Sequence, residues 1–277
     1  MVRPPIYEQL RTAWAHSESL LCVGIDPTLE RLPEPFDKDI DGVLAFSKAI
    51  VDACAPHVCA FKPQAAHFGA LGAEPALREL IDYIHASHPH IVVVLDAKRG
   101  DIGSTAERYA VEAFERYDAD AVTVNPFLGR ESVEPYFAFP DRGVILLCRT
   151  SNAGSDWMQQ QPRERPIYLQ VAEQAQAWNV HSNLALVTGA TYPQELSEVR
   201  AVAPDLPLLV PGIGAQGGDV KKVVLAGADA NGQGLLISAS RSVLFASSGA
   251  DFEEAAAEEA RRLKQQINAA RISLNTT

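Results

Sequence analysis

No two of the four cysteines stand in a CxxC pair, so neither a zinc ribbon nor a disulfide framework organises this chain. Cys22, Cys59 and Cys148 fall inside apolar, strand-like runs and read as small buried hydrophobes. Together with Cys54 they point to a reducing compartment, the cytoplasm. The first residues hold no apolar signal core and no apolar run reaches membrane-spanning length, so no membrane partner is expected. Basic residues are in deficit: 24 Lys and Arg against 35 Asp and Glu give a net charge of −11. That balance argues against a nucleic-acid partner, which calls for a basic stripe. It leaves an anionic small molecule open, because a few local cations can dominate one cleft. Internal repeats and low-complexity tracts are also absent, as is a GxGxxG after the first strand-like run, which weakens a dinucleotide-binding reading.

What is present is a long alternation. The 277 residues are 47% apolar and 21% charged, a composition that supports a large core and no extended disorder. Continuous apolar runs at 20–25, 58–61, 91–95, 119–124, 143–148, 183–187, 207–210 and 235–238 read as strands buried on both faces. Helical patterns lie between and around them, at 6–17, 40–54, 74–86, 104–116, 130–138, 164–179, 193–202, 217–226, 240–246 and 252–271. Ser104 and Glu107 are spaced as a capping box for the helix over 104–116. Eight strands alternating with helices predict an α/β fold, a parallel (β/α)8 TIM barrel with an additional N-terminal helix, in one domain over 1–277. An open doubly wound sheet is the alternative.

Polar residues gather where these strands end, on the face that carries the active site in such barrels. Asp26 ends the first strand and Lys62 the second. Asp96-Ala97-Lys98-Arg99-Gly100-Asp101-Ile102-Gly103-Ser104-Thr105 follows the third. Asp96 and Lys98 are two residues apart, so on a strand they share a side. They form either a salt bridge that closes the strand or part of a charge array with Asp26, Lys62 and Asp101. At an effective dielectric near 20, opposite charges about 4 Å apart attract by roughly 4 kcal/mol.

Ser151 and Asn152, after the fifth strand, either hydrogen-bond a heterocycle edge or cap their own loop. The polar stretch 152–163 is long for such a loop and reads as a lid. After the seventh strand comes Pro211-Gly212-Ile213-Gly214-Ala215-Gln216-Gly217-Gly218, and after the eighth a short helix opens near Ser240-Arg241. Glycine-rich backbone, a helix N-terminus and Arg241 suit a phosphate. A tight turn and a surface arginine are the plain alternative. The histidines His57, His67, His85, His88 and His90 have no metal-like company and read as surface or loop residues.

Asp-x-Lys-x-x-Asp-Ile-x-x-Thr after a buried strand resembles the signature of the orotidine 5'-phosphate decarboxylases, specifically their longer bacterial branch. The likeness runs from Gly24-Ile25-Asp26-Pro27 to Ala239-Ser240-Arg241. It implies a barrel enzyme of pyrimidine synthesis that converts orotidine 5'-phosphate to UMP with no metal and no organic cofactor. By the same resemblance Lys98 would be the catalytic ammonium and proton donor to C6, with Asp96 against the scissile carboxylate. Asp26 and Lys62 would contact the ribose hydroxyls and join the charge array. Ser151 would bind the pyrimidine, Gln216 would bridge base and phosphate, and Arg241 would hold the phosphate. Asn152, Pro211 and Gly217 join the substrate-binding set. Asp101, Ile102 and Thr105 would reach into the site of a second subunit, making a homodimer with shared sites.

Two features depart from the family pattern. Asn125-Pro126 stands where many members carry a His, and Arg99-Gly100 replaces bulkier residues. Other readings remain: a magnesium-dependent sugar-phosphate decarboxylase or synthase sharing the Asp-x-Lys-x-x-Asp signature, a Schiff-base aldolase using Lys98, or a non-catalytic phosphate-ligand barrel.

Overall fold

Eight parallel strands close on themselves in sequence order in the computed structural model, which describes residues 3–213 and 217–274. The strands are β1 (Leu21–Ile25), β2 (Ala60–Pro63), β3 (Val92–Arg99), β4 (Ala121–Val124), β5 (Gly143–Arg149), β6 (Leu184–Thr188), β7 (Leu208–Pro211) and β8 (Leu235–Ala239). Each pairs with its sequence neighbours, and β1 closes on β8 through Cys22↔Ser238 and Val23↔Ala239. Every residue of β1, β2, β4, β6 and β8 is buried. One face fills the barrel and the other meets helices, so the alternation of a half-wet sheet is missing.

The helices are α1 (Ile6–Ser17), α2 (Ile40–Cys54), α3 (Ala65–Gly69), α4 (Glu74–Ser87), α5 (Gly103–Val111), α6 (Asp156–Gln159), α7 (Ile167–Trp178), α8 (Pro193–Val202), α9 (Val220–Gly227), α10 (Arg241–Leu244) and α11 (Phe252–Leu274). In α1 the buried residues Ile6, Leu10, Ala13, Trp14 and Ser17 recur at helical spacing, and Glu18 in the left-handed region (φ 49°) ends the helix. This helix closes the N-terminal mouth of the barrel. A Cβ on Gly143 would lie 2.9 Å from Ile6 Cγ1 and 2.8 Å from Ala121 Cβ. Glycine at the start of β5 is what lets α1 seat there.

The sequence places the barrel and most helices, but several boundaries move. β3 does not stop at Leu95; it continues through Asp96 and Lys98 to Arg99. No capping box forms at Ser104. Gly103 opens α5, Ile102 is the N-cap without a side-chain hydrogen bond, and the Ile102 amide donates to Asp101 Oδ1 at 2.8 Å. The helix expected over 104–116 ends at Val111 and continues as a π-helical turn over Glu112–Arg116. The 130–138 segment is a pair of 3-10 turns, Arg130–Ser132 and Glu134–Ala138. The expected lid is not irregular throughout, since it holds a 3-10 turn over Ala153–Ser155 and then α6. His67 and His85 belong to α3 and α4 rather than to loops, and each is partly buried beside an oxygen. His67 Nδ1 lies 2.9 Å from Pro27 O, and His85 Nε2 lies 3.1 Å from Asp120 Oδ2. Cys22, Cys54, Cys59 and Cys148 are all free and buried. Among the described residues no helix is long and apolar enough to cross a membrane.

Candidate active site

At the C-terminal mouth one carboxylate holds two ammonium groups. Asp96 Oδ2 is 2.6 Å from Lys62 Nζ, and Asp96 Oδ1 is 2.6 Å from Lys98 Nζ. Gln64 Nε2 donates to Oδ2 at 3.2 Å and Thr123 Oγ1 donates to Oδ1 at 2.9 Å. The two cations differ in environment: the Lys62 side chain is 6% exposed and the Lys98 side chain 47%. Lys62 is therefore an internal strut, while the Lys98 ammonium faces the open mouth.

Burial alone would raise the Asp96 carboxyl. The ammonium groups of Lys62 and Lys98, with their hydrogen bonds, more than offset it and hold Asp96 below the usual carboxylate range. Burial likewise opposes charge on Lys62, yet Asp96 and Asp26 keep its pKa above that of a free lysine. Both groups are thus ionised throughout the neutral range, and an unpartnered member would be costly.

The pair does not come from a flat strand. Leu95 pairs with Val122 and Arg99 with Val124, so four steps along β3 match two along β4. Within this bulge Lys98 has φ 46°, a left-handed conformation unusual for a lysine. The freed amides of Ala97 and Lys98 donate to Thr123 Oγ1 at 3.0 and 2.9 Å.

Asp26 follows β1 at the same mouth. Its Oδ1 is buried and finds no hydrogen-bond donor among the described residues, which leaves an acceptor free for a ligand hydroxyl. Arg241 opens α10, exposed, its side chain making no hydrogen bond to another described residue. Pro211 ends β7, and Gly217 has φ 81° with open space where a Cβ would be. Gln216 lies outside the described residues.

Ser151 is half-buried after β5, its backbone against Gly189, where a Cβ would lie 2.7 Å from Ser151 Cα. Asn152 is exposed; its Oδ1 accepts from Thr150 Oγ1 at 2.7 Å and its carbonyl accepts from Ser155 Oγ at 2.7 Å. At least half of the Asn152 side chain thus serves its own loop. Asp101 is not brought to Lys98 within the chain, where its carboxylate accepts the Ile102 amide. Ile102 is 53% exposed, and Thr105 is exposed on α5. The charge array of one chain is therefore Asp26, Lys62, Asp96 and Lys98, without Asp101.

Three residues escaped the sequence reading. Gln64 and Thr123 brace Asp96, and a threonine inside an apolar strand gives no signal. Arg149 is fully buried at the end of β5. Its Nη2 meets Asp156 Oδ1 at 2.6 Å, its Nη1 donates to Ser155 Oγ, and its guanidinium lies 3.7 Å over the Tyr192 ring. It fastens the loop after β5 to the barrel. A cavity of about 520 Å³ lies at the opposite end, lined in part by Tyr7, Arg11, Trp14 and Arg200. The Arg200 guanidinium there is taken up by the carbonyls of Gly227, Leu206 and Gly234.

Residues 19–258 match the model of the orotidine 5'-phosphate decarboxylase / HUMPS family. The chain is 54% identical over 263 residues to the orotidine 5'-phosphate decarboxylase of Ralstonia nicotianae, covering 94% of this chain and 97% of that one. It is 55% identical over 264 residues to the enzyme of the same name from an Azoarcus species, covering 95% and 98%. Among solved structures, Leishmania donovani OMP decarboxylase superposes with a TM-score of 0.84 at 39% identity, covering 97% of this chain and 99% of that one. Relatives of this identity extend over the whole barrel, and the lysine-flanked aspartate lies where the sequence signature led. The chain belongs to the orotidine 5'-phosphate decarboxylase / HUMPS family.

Proposed function

We propose that the array at the mouth carries out the family's decarboxylation, with Lys98 as the group that stabilises and then protonates C6. The chain is an enzyme, a carboxy-lyase that converts orotidine 5'-phosphate to UMP. The observation that carries the assignment of roles is a carboxylate bridging one buried and one half-exposed ammonium. The C6–carboxyl bond breaks, CO2 leaves, and the electron pair stays on C6 in the plane of the ring, where no π system absorbs it. An ammonium fixed beside that atom interacts more strongly as the charge develops, which lowers the barrier rather than merely binding substrate. The same ammonium then gives its proton to C6 and regains one from water. Asp96 fixes that ammonium and lies beside the departing carboxylate.

The unpartnered Asp26 oxygen supports a hydroxyl contact to ribose, with Lys62 next to it. Arg241 and the backbone near Pro211 and Gly217 would hold the phosphate, with Gln216 between phosphate and base. Ser151 would meet the pyrimidine, with Asn152 supporting the loop, and 152–163 would cover the base on its Arg149 anchor. Asp101, Ile102 and Thr105 would serve the site of a second copy. Phe127 and Leu128, 72% and 50% exposed, support an apolar homodimer contact there with Ile102. A Cβ on Gly100 would lie 3.2 Å from Asn125 Cβ, so the loops after β3 and β4 touch. The whole chain would act as one domain in the cytoplasm, where its four free thiols stay reduced.

The test is turnover of orotidine 5'-phosphate by purified protein in excess chelator, with UMP and CO2 formed one to one. Absence of turnover, or turnover only after magnesium is restored, would overturn the metal-independent reading.

A further inference from the structure

We infer that Thr123 is a positioning residue for this reaction: its one hydroxyl locks Asp96 and the backbone of Lys98 into a single arrangement. The inference rests on the role proposed for Lys98.

A threonine hydroxyl has one proton and two lone pairs. Here all three are used. The proton goes to Asp96 Oδ1 at 2.9 Å, and the lone pairs take the Ala97 and Lys98 amides at 3.0 and 2.9 Å. Thr123 is 1% exposed, so its hydroxyl is kept from bulk water and bonds within the protein. The two amides are the ones released where β3 bulges away from β4. Left without an acceptor these part-buried amides would lose the partner that holds the bulge. Lys98, at φ 46°, sits in a conformation that a lysine does not keep unaided.

The two oxygens of Asp96 are not equivalent in this respect. Oδ2 is fixed by Lys62 and Gln64, both on or beside β2. Among the described residues Oδ1 has only Lys98 and Thr123. Thr123 is thus the one described partner that ties the carboxylate and the Lys98 backbone to the same atom. Removing the hydroxyl frees the half of the array that faces the substrate and leaves the Lys62 half in place.

Thr123→Val keeps the branched shape and deletes all three hydrogen bonds, and Thr123→Ser keeps the hydroxyl. Misplacing a reacting group by about 1 Å can cost about 100-fold, so kcat of Thr123→Val should fall on the order of 100-fold. UMP has no scissile carboxylate, so its affinity should change by less than about threefold. Thr123→Ser should stay within about fivefold of the unmutated enzyme in kcat. Circular dichroism and thermal melting check that each variant is folded. If Thr123→Val does not fold, Thr123→Ala carries the same comparison with Thr123→Ser. Three results overturn the inference: kcat of a folded Val or Ala variant within about threefold of the unmutated enzyme, parallel losses in kcat and UMP affinity, or a Ser variant as slow as the Val or Ala variant. Lys98→Ala is measured alongside. An active Lys98→Ala removes the underlying role of Lys98, whereas an inactive Lys98→Ala with unaffected Thr123 variants removes only the role of Thr123.

Discussion

Removing either lysine of the array should inactivate the enzyme, but only one removal should also damage the fold. Lys62 and Asp96 are 6% and 8% exposed and 2.6 Å apart. Truncating Lys62 leaves Asp96 Oδ2, among the described residues, with a single 3.2 Å bond from Gln64, and breaking a buried pair in this way costs about 3–5 kcal/mol. Lys98 is 47% exposed, so water screens its loss, and Lys98→Ala should cost about 0–1 kcal/mol. For a chain of this size each kcal/mol moves Tm by about 2–4 °C. Lys62→Ala should therefore melt roughly 10 °C lower and Lys98→Ala less than about 4 °C lower. Activity runs differently. Losing a preorganised charge costs about 10²–10³ in rate, and losing a proton donor costs about 10²–10⁴. Lys98→Ala should thus lose at least about 10⁴-fold in kcat. Melting curves and the loss of substrate absorbance give both numbers on the same samples. A Lys98→Ala protein that melts as low as Lys62→Ala would make Lys98 a structural strut. Turnover within about 100-fold of the unmutated enzyme would remove its catalytic role.

Three further outcomes follow from the same geometry. Asp96 has a depressed pKa in the fold against 3.8 outside it, so its stabilisation is complete above about pH 4 and is lost as pH falls further. The stability gap between the unmutated protein and Asp96→Asn in urea should narrow below pH 4 and stay constant between pH 5 and 9; a gap that widens on acidification contradicts this. Arg241→Ala should lower kcat/KM more than tenfold for the full nucleotide and leave a substrate lacking phosphate unaffected, and equal losses for both would show that Arg241 does not hold phosphate. Lys98→Ala and Asp101→Ala chains, each inactive alone, should regain about a quarter of full activity after subunit exchange, because half the dimers are mixed and each mixed dimer has one intact site. No recovery after confirmed exchange would place Asp101 in its own chain's site.

The barrel was legible because both faces of a parallel strand are buried, so each strand shows as an unbroken apolar run. That rule fails at the strand ends. β2, β3 and β5 extend through Pro63, Arg99 and Arg149, past the last apolar residue, because the hydrogen-bond ladder continues where the core stops. Lys62, Asp96 and Lys98 on the first two of those extensions are residues singled out in sequence, although the strand boundaries there were misplaced. Ser104 and Glu107 carry the spacing of a capping box, yet the chain starts α5 one residue earlier, at Gly103 with φ 56°. Arg149 could not be read at all. An arginine at a strand end is ordinarily exposed, and its burial depends on Asp156 and Tyr192, which only the folded loops bring to it.

The bulge in β3 explains why spacing alone found Asp96 and Lys98 but not their geometry. In a regular strand, residues two apart lie about 6.6 Å from one another with parallel side chains. A lysine held that way points out of the sheet beside the aspartate. The turn at Lys98 instead lets its ammonium fold back to 2.6 Å from Asp96 Oδ1 while remaining half-exposed at the mouth. A flat strand would give a solvated charge, and a deeper position would give a second strut like Lys62. The reaction needs a cation that is both fixed and reachable by substrate. On the role proposed for Lys98, its left-handed backbone, held by hydrogen bonds from the Ala97 amide and its own to the Thr123 hydroxyl, would meet both requirements at one residue. Backbone strain is most informative where, as here, the surrounding bonds over-determine it and the strained residue faces the open mouth.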